Sequence, residues 1–500
     1  MVYGMTLQYR STRGNESNSL TASQAILQGL APDGGLYVPV IFPKLTTPLK
    51  DLVGLSYQDL ALQILKLFLD DYTEAELKAC ITAAYGDQFD TNLITPVHQA
   101  GNVNYLELYH GPTLAFKDIA LQLLPHLMTT AMTKNNYDGQ ITILTATSGD
   151  TGKAAMAGFA DVPNTRIIIF YPKDGVSAIQ KQQMVTQTGD NVNVLGIDGN
   201  FDDAQRNVKA ILNDSAIQAQ LATQNIQFSS ANSINIGRLI PQIVYYFAAY
   251  GQLVQNKTIA LNDEVVFSVP TGNFGDILAG WYAKKLGLPI KRLLCASNEN
   301  NILTDFFHTG QYNKKRAFHV TSSPSMDILV SSNLERLLFE VLDEDPTALS
   351  AFMQEFETAG SATLSTTAKT KLADFVAYDT DQAQTLAAIR QTQTQANYTI
   401  DPHTAVATHG AMAYLKDTKD TAPMVILSTA NPYKFPETVL WALTAHKPLE
   451  SGFEAIQAVS NVISLPVPKN ISHLKRAKVR FDQTISVAQM APTVLNILTH

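Results

Sequence analysis

Near residue 140 the chain changes texture, and that change dictates its architecture. ITILTA, TRIIIFYP and NVNVLGI are short runs rich in β-branched residues, each followed by a helical pattern: KAAMAGFA, SAIQKQQMVTQTG and FDDAQRNVKAILND. EVVFSVP, IKRLLCAS and APMVILSTA repeat the strand type further on. Apolar strands alternating with helices predict an α/β fold with parallel sheets covered on both faces. Such sheets take ligands outside the carboxyl ends of their strands. With 500 residues, two or three cores are expected.

The flanking regions read differently. Residues 20–95 suggest helices, as in LSYQDLALQILKLFLD and TEAELKACITAAYG, while GLAPDGGLYVPVIFPKL is too rich in Pro and Gly for regular structure. The Ala/Thr/Gln-rich stretch at 340–395 reads as peripheral helices with little chemistry. IPQIVYYFAAYGQL is interrupted by polar residues and reads as a buried helix, and no run has the roughly 18 apolar residues of a membrane span. The N-terminus lacks the apolar stretch of a secretory signal, so a cytoplasmic location is expected. A net charge of −8 without dense Lys/Arg runs argues against nucleic acid as a partner. The two cysteines, Cys80 and Cys295, stand far apart and read as buried small hydrophobes rather than a disulfide.

Chemistry concentrates in YHGPTLAFKDIA and in two glycine-bearing loops. Lys117 follows a Gly-Pro turn and a short apolar run. TATSGDTGK and VPTGNFGD each stand where a strand passes into a helix, whose first N–H groups suit phosphate or carboxylate. An amine able to form a Schiff base, with two anion sites, is what a pyridoxal-phosphate (PLP) enzyme needs. TATSGDTGK is not a P-loop: Gly149 and Gly152 stand too close together, and Ala154 follows Lys153. Taken alone it reads better as an ordinary capped βα loop, while VPTGNFGD reads equally as a helix capped by Asp276. In FSSANSINIGRLIPQ, Ser233, Asn235 and Arg238 stand together; an Arg fork suits carboxylate or phosphate, although a solvated Arg is the commoner outcome. His403 and His409 are six apart with no Cys or Glu to complete a zinc site, so no metal is expected.

Taken in order, STRG…QAILQGLAPDGGLYVP, HGPTLAFKD, LTATSGDTGKAA, SANSINIGRL, VPTGNFGDILAG, SMDILVSSNLERLL, DPHTAVA and STANPYKF resemble the longer bacterial and fungal branch of the threonine synthases over nearly the full length. The resemblance implies the tryptophan-synthase-β-like PLP fold (fold type II) and conversion of O-phospho-L-homoserine and water to L-threonine and phosphate. It implies an N-terminal domain over 1–95, a large PLP-binding domain over 96–138 and 250–500, and a smaller inserted domain over 139–249. By motif position Lys117 would carry the Schiff base, Gly272, Asn273, Phe274, Gly275 and Asp276 would hold the cofactor phosphate, and Thr429 would face the pyridine nitrogen. Ser148, Gly149, Asp150 and Thr151 match the loop near the substrate carboxylate and cofactor O3′. Ser233, Asn235 and Arg238 are candidates for the substrate phosphate, with Lys173 a weaker one. Other fold-type-II enzymes often have Asn at Asp150, and an acid there would repel a phenolate-like oxygen unless one is protonated. Asp118 would help or hinder Lys117 according to its side-chain direction. A monomer or homodimer is expected. The rival readings are another fold-type-II lyase, such as a threonine or serine dehydratase, and a catalytically silent relative that binds PLP or a partner.

Overall fold

The computed structural model describes residues 6–14, 19–147, 149–173 and 176–499, with Asp202 described by its backbone alone. Two sheets organise the chain. The larger has six strands in the order Phe375–Asp379, Ile290–Ser297, Val265–Pro270, Met424–Ser428, Val103–Glu107 and Val97–Ala100. All its neighbours are parallel except the last two strands, which pair antiparallel. The smaller has five parallel strands in the order Thr484–Ser486, Val192–Asp198, Thr165–Pro172, Gln140–Ala146 and Ile226–Ser229. Its edge strand comes from the far C-terminal region, 255 residues beyond the Ser229 end of the preceding strands only in sequence, since Gly196 N bonds Gln483 O at 2.9 Å.

Continuous apolar runs form these strands because both faces are covered, and the residues of Val265–Pro270 and Met424–Ser428 are all buried. Pro241–Gln255 is the buried helix expected from its sequence, with Ile243, Val244, Tyr245 and Tyr246 fully enclosed. The N-terminal region carries the helices Tyr57–Phe68 and Glu74–Ala84, started by Ser56 and Thr73 accepting from backbone N–H groups of their first turns. Arg336, fully buried, ties this region down: its Nε donates to Tyr37 O and its Nη2 to Ile234 O.

Two expectations fail in detail. The Pro/Gly-rich segment contains a strand, Tyr37–Pro39, paired with Tyr9–Ser11, and three residues are too few to show a period. The stretch read as peripheral helices supplies Phe375–Asp379, an edge strand of the larger sheet. Only one neighbour covers an edge strand, so FVAYD lacks the unbroken apolar character of the central strands.

Candidate active site

Lys117 is delivered by a turn fastened to the larger sheet. Phe116 N donates to Thr429 O at 2.9 Å, Asn431 N to Leu114 O at 3.0 Å, and Ala115 bridges Ala430. Leu114 takes a left-handed φ of 61°, which costs a non-glycine residue about 1 kcal/mol. The turn therefore places Lys117 and Thr429 at the carboxyl end of Met424–Ser428. Lys117 Nζ donates to Ser325 Oγ at 3.3 Å. Its side chain is half-buried, with much of its length deep in protein. That desolvation chiefly, with repulsion from Arg238 and Lys434, brings the ammonium down to about 8, although Asp150 pulls the other way.

The direction of Asp118 resolves the question its position raised. Its carboxylate turns to the preceding turn, accepting from Thr113 N at 2.8 Å and Thr113 Oγ1 at 2.6 Å. Asp150 is paired instead with Lys434, whose Nζ stands 2.8 Å from Asp150 Oδ1 and donates to Thr113 O at 2.7 Å. Burial opposes ionisation of Asp150, but Lys434 and then Lys117 hold it well below the usual carboxylate range. Gln180 Nε2 also donates to Asp150 Oδ1 at 3.3 Å.

Asp150 and Thr151 begin the helix Asp150–Phe159, and Thr147 Oγ1 secures the loop before it by accepting from Gly149 N at 3.0 Å and Gly152 N at 3.1 Å. Ser148 lies outside the described residues. In the second loop Phe274 has a left-handed φ of 65° and precedes the helix Gly275–Lys285, which no side chain caps. Asp276, a possible cap by sequence, points into the core, where its Oδ1 accepts from Tyr245 OH at 2.5 Å and Tyr246 OH at 3.0 Å. Burial foremost raises this carboxyl to about 7. The ring of Phe274 packs against Phe307 and Phe375, so the loop offers its backbone rather than these two side chains. Asn273 is exposed, with its carbonyl accepting from Asn333 N at 3.0 Å, and Ser331 Oγ donates to Gly272 O at 2.7 Å.

Ser233 borders this second loop: a β-carbon built on Gly275 would lie 3.7 Å from Ser233 Cβ. Arg238 is buried near Lys117, donates one bond to Ala231 O at 2.9 Å, and has no ion-pair partner among the described residues. Burial lowers its guanidinium to about 10. The Asn235 amide is fully engaged with backbone, accepting from Gly237 N and donating to Ile26 O and Ser230 O. Lys173 is exposed, and its backbone N bonds Ile197 O.

Two participants were not singled out from sequence, and a third, His403, was weighed there only as a metal ligand. Lys434 sits inside STANPYKF, but nothing local distinguishes a buried ammonium from a surface one. Ser325 faces Lys117 from a remote loop. His403 Nε2 accepts from Ser325 N at 3.2 Å while its Nδ1 stands 2.7 Å from Asp401 Oδ2. The last contact fixes the ring so that it positions the Ser325 loop.

These residues suit PLP on three counts. Lys117 is a desolvated amine free of any ion-pair partner among the described residues, the Gly275–Lys285 helix begins without a side-chain cap, and Gly272 lets the loop backbone run against Ser325, whose carbonyl oxygen would stand 2.7 Å from a β-carbon there. Fold and site together define a PLP-dependent enzyme of fold type II. Residues 92–430 match the family described as pyridoxal-phosphate dependent enzyme, residues 8–85 the threonine synthase N terminus, and residues 404–484 the threonine synthase C-terminal region. Threonine synthase of Pseudomonas aeruginosa is 40% identical over 87% of this chain and 90% of its own. Threonine synthase-like 1 of Homo sapiens is 40% identical over 91% of this chain, which spans 62% of that protein's length. The structure of PLP-bound threonine synthase from Brucella melitensis has a TM-score of 0.87 and 38% identity, covering 99% of each chain. The chain belongs to the threonine synthase family.

Proposed function

We propose that this protein is a threonine synthase, converting O-phospho-L-homoserine and water to L-threonine and phosphate. The observation that carries the reading is Lys117 itself, an amine with no ion-pair partner among the described residues, 3.3 Å from Ser325 Oγ and brought down to about 8 by burial. PLP, when bound, supplies an electron sink for carbanion chemistry next to the substrate amine. Lys117 would hold the cofactor aldehyde and, once displaced by the substrate amine, act as the base that moves protons at the carbon chain. Its depressed basicity supports that role, since a base poised near neutrality is free to accept and return protons. The backbone N–H groups from Gly272 to Asp276 would hold the cofactor phosphate, with Thr429 against the ring nitrogen. A hydroxyl there does not force the nitrogen to stay protonated. Gly149 and Thr151 would meet the substrate carboxylate.

Arg238 and Ser233 are assigned to the substrate phosphate. A buried guanidinium lacking a carboxylate partner is expensive to leave alone and suits a dianion.

Domain boundaries at 1–95, 96–138 with 250–500, and 139–249 belong to this reading, as do a cytoplasmic setting and a monomer or homodimer. The two free, buried cysteines agree with a reducing compartment. No described helix is long and apolar enough to cross a membrane.

Borohydride reduction of the holoenzyme followed by peptide mass spectrometry should place the pyridoxyl group on Lys117, and the protein should release phosphate from O-phospho-L-homoserine. An adduct elsewhere, or ammonia release from threonine as the main activity, would replace this reading with that of a dehydratase.

A further inference from the structure

The sequence puts a carboxylate at Asp150, beside the place where the proposed function sets an electron-rich oxygen of the cofactor. The structure brings a cation to it from a different part of the fold. Lys434 lies just past the Met424–Ser428 strand of the larger sheet, whereas Asp150 opens the helix that follows Gln140–Ala146 of the smaller one. The Lys434 side chain is 0% exposed and that of Asp150 4% exposed, with Nζ and Oδ1 2.8 Å apart. The ammonium also donates to Thr113 O at 2.7 Å, and Thr113 in turn holds Asp118. Three segments thus meet on one nitrogen: the turn that delivers Lys117, the smaller unit's glycine loop, and the strand end carrying Thr429.

A buried ion pair is a poor way to gain stability, because removing two charges from water costs about as much as their attraction returns. Keeping one here requires another reason. The Lys434 side chain has no exposed surface, and its ammonium is taken up by Asp150 and Thr113 O. Its charge acts through Asp150.

We propose that Lys434 is a positioning residue that neutralises Asp150 and pins it off Lys117, leaving the Lys117 amine unpaired and the acid compatible with an electron-rich cofactor oxygen. This rests on the proposed function only for the location of that oxygen. The charged groups around the pair are Lys117 and His403 on the Asp150 side, Asp118 and Lys153 on the Lys434 side, and Arg238 beyond Lys117. Lys153 is itself held by Gln187 Oε1. No other ion pair to Asp150 is present among the described residues.

The test compares the pH midpoint of the bound cofactor's visible absorbance band in holoenzymes of four proteins: wild type, Lys434→Met, Asp150→Asn and the double variant. Removing the cation should raise the midpoint by at least one pH unit, a tenfold change in proton affinity. Removing the anion should lower it by a similar amount, and the double variant should return to within about 0.3 unit of wild type, as expected for a coupled pair. Equal midpoints in all four proteins, or two single shifts of the same sign, would overturn the proposal. Should Lys434→Met fail to fold, Asp150→Asn decides alone: a fall of one unit supports it and no change overturns it. A wild-type protein that shows the band but releases no phosphate from O-phospho-L-homoserine removes the proposed reaction while leaving the midpoints to judge Lys434.

Discussion

Ser325 closes over Gly272 so tightly that a β-carbon on the glycine would stand 2.7 Å from the Ser325 carbonyl oxygen. The obstacle is backbone, and the same Ser325 offers its hydroxyl to Lys117. Gly272→Ala must therefore move either its own loop or the segment that contacts the lysine. Overpacking of this kind costs about 1–3 kcal/mol. The variant should lose at least tenfold in PLP affinity, measured by fluorescence titration of the cofactor-free protein, with a smaller loss in unfolding midpoint. Affinity equal to wild type would show that the loop has slack and that a glycine is not required at 272.

The amine of Lys117 should set the pH dependence of cofactor capture. Only the free base attacks an aldehyde, and desolvation above all has brought this group to about 8 from the 10.5 of an ordinary lysine. The rate of recombination of the cofactor-free protein with PLP should climb with pH and level off above about 8. Lys117→Ala should abolish the visible band at every pH. An inflection near 10 would mean that the side chain sits in water.

Much of this arrangement could be read from local signals, and the remainder could not for a definite reason. Strands buried on both faces announce themselves by unbroken apolar runs, so ITILTA, TRIIIFYP and EVVFSVP are recovered as Gln140–Ala146, Thr165–Pro172 and Val265–Pro270 within a residue or two. The glycine loops and Lys117 stand out in sequence only as a set, since each loop by itself is as readily an ordinary capped helix start. Pairings across the fold leave no local trace. Lys434 lies 284 positions after Asp150, and Ser325 lies 208 after Lys117. Nor does sequence give the aim of a side chain. Asp276 reads as a helix cap, yet two tyrosines of Pro241–Gln255 draw it inward.

Asp276 gives a stability prediction with a definite sign. Its carboxyl is raised by burial from 3.8 to about 7, and its Oδ2 is buried without a partner. Because the folded-state value lies above the unfolded one, this group's contribution is fully present below about pH 4 and is lost as pH rises through 7. Asp276→Asn removes the ionisation while still accepting from the tyrosines. Relative to wild type, the cofactor-free variant should gain stability steadily between pH 4 and 7, by on the order of 4 kcal/mol, and show no further change above. Denaturant midpoints across that range would measure it. A wild-type protein that instead strengthens against the variant as pH rises would mean that the buried carboxylate has found a cation.

The proposed role of Arg238 at the substrate phosphate can be tested apart from cofactor binding. One of its N–H groups is held by Ala231 O, which fixes the fork in place, and no carboxylate among the described residues neutralises it. The guanidinium is nonetheless buried, so a dianionic substrate group is the partner that best relieves it. Arg238→Ala should raise KM for O-phospho-L-homoserine by at least tenfold while leaving PLP content near wild type. Arg238→Lys should fall between, since a point charge keeps the attraction and loses the bidentate geometry. Shortening the side chain also releases Ala231 O, so the unfolding midpoint has to be followed alongside the kinetics; a fall in stability without a rise in KM would make Arg238 a loop brace. If both variants bind substrate as wild type does, the phosphate lies elsewhere, and Ser233 beside Gly275 becomes the donor to examine.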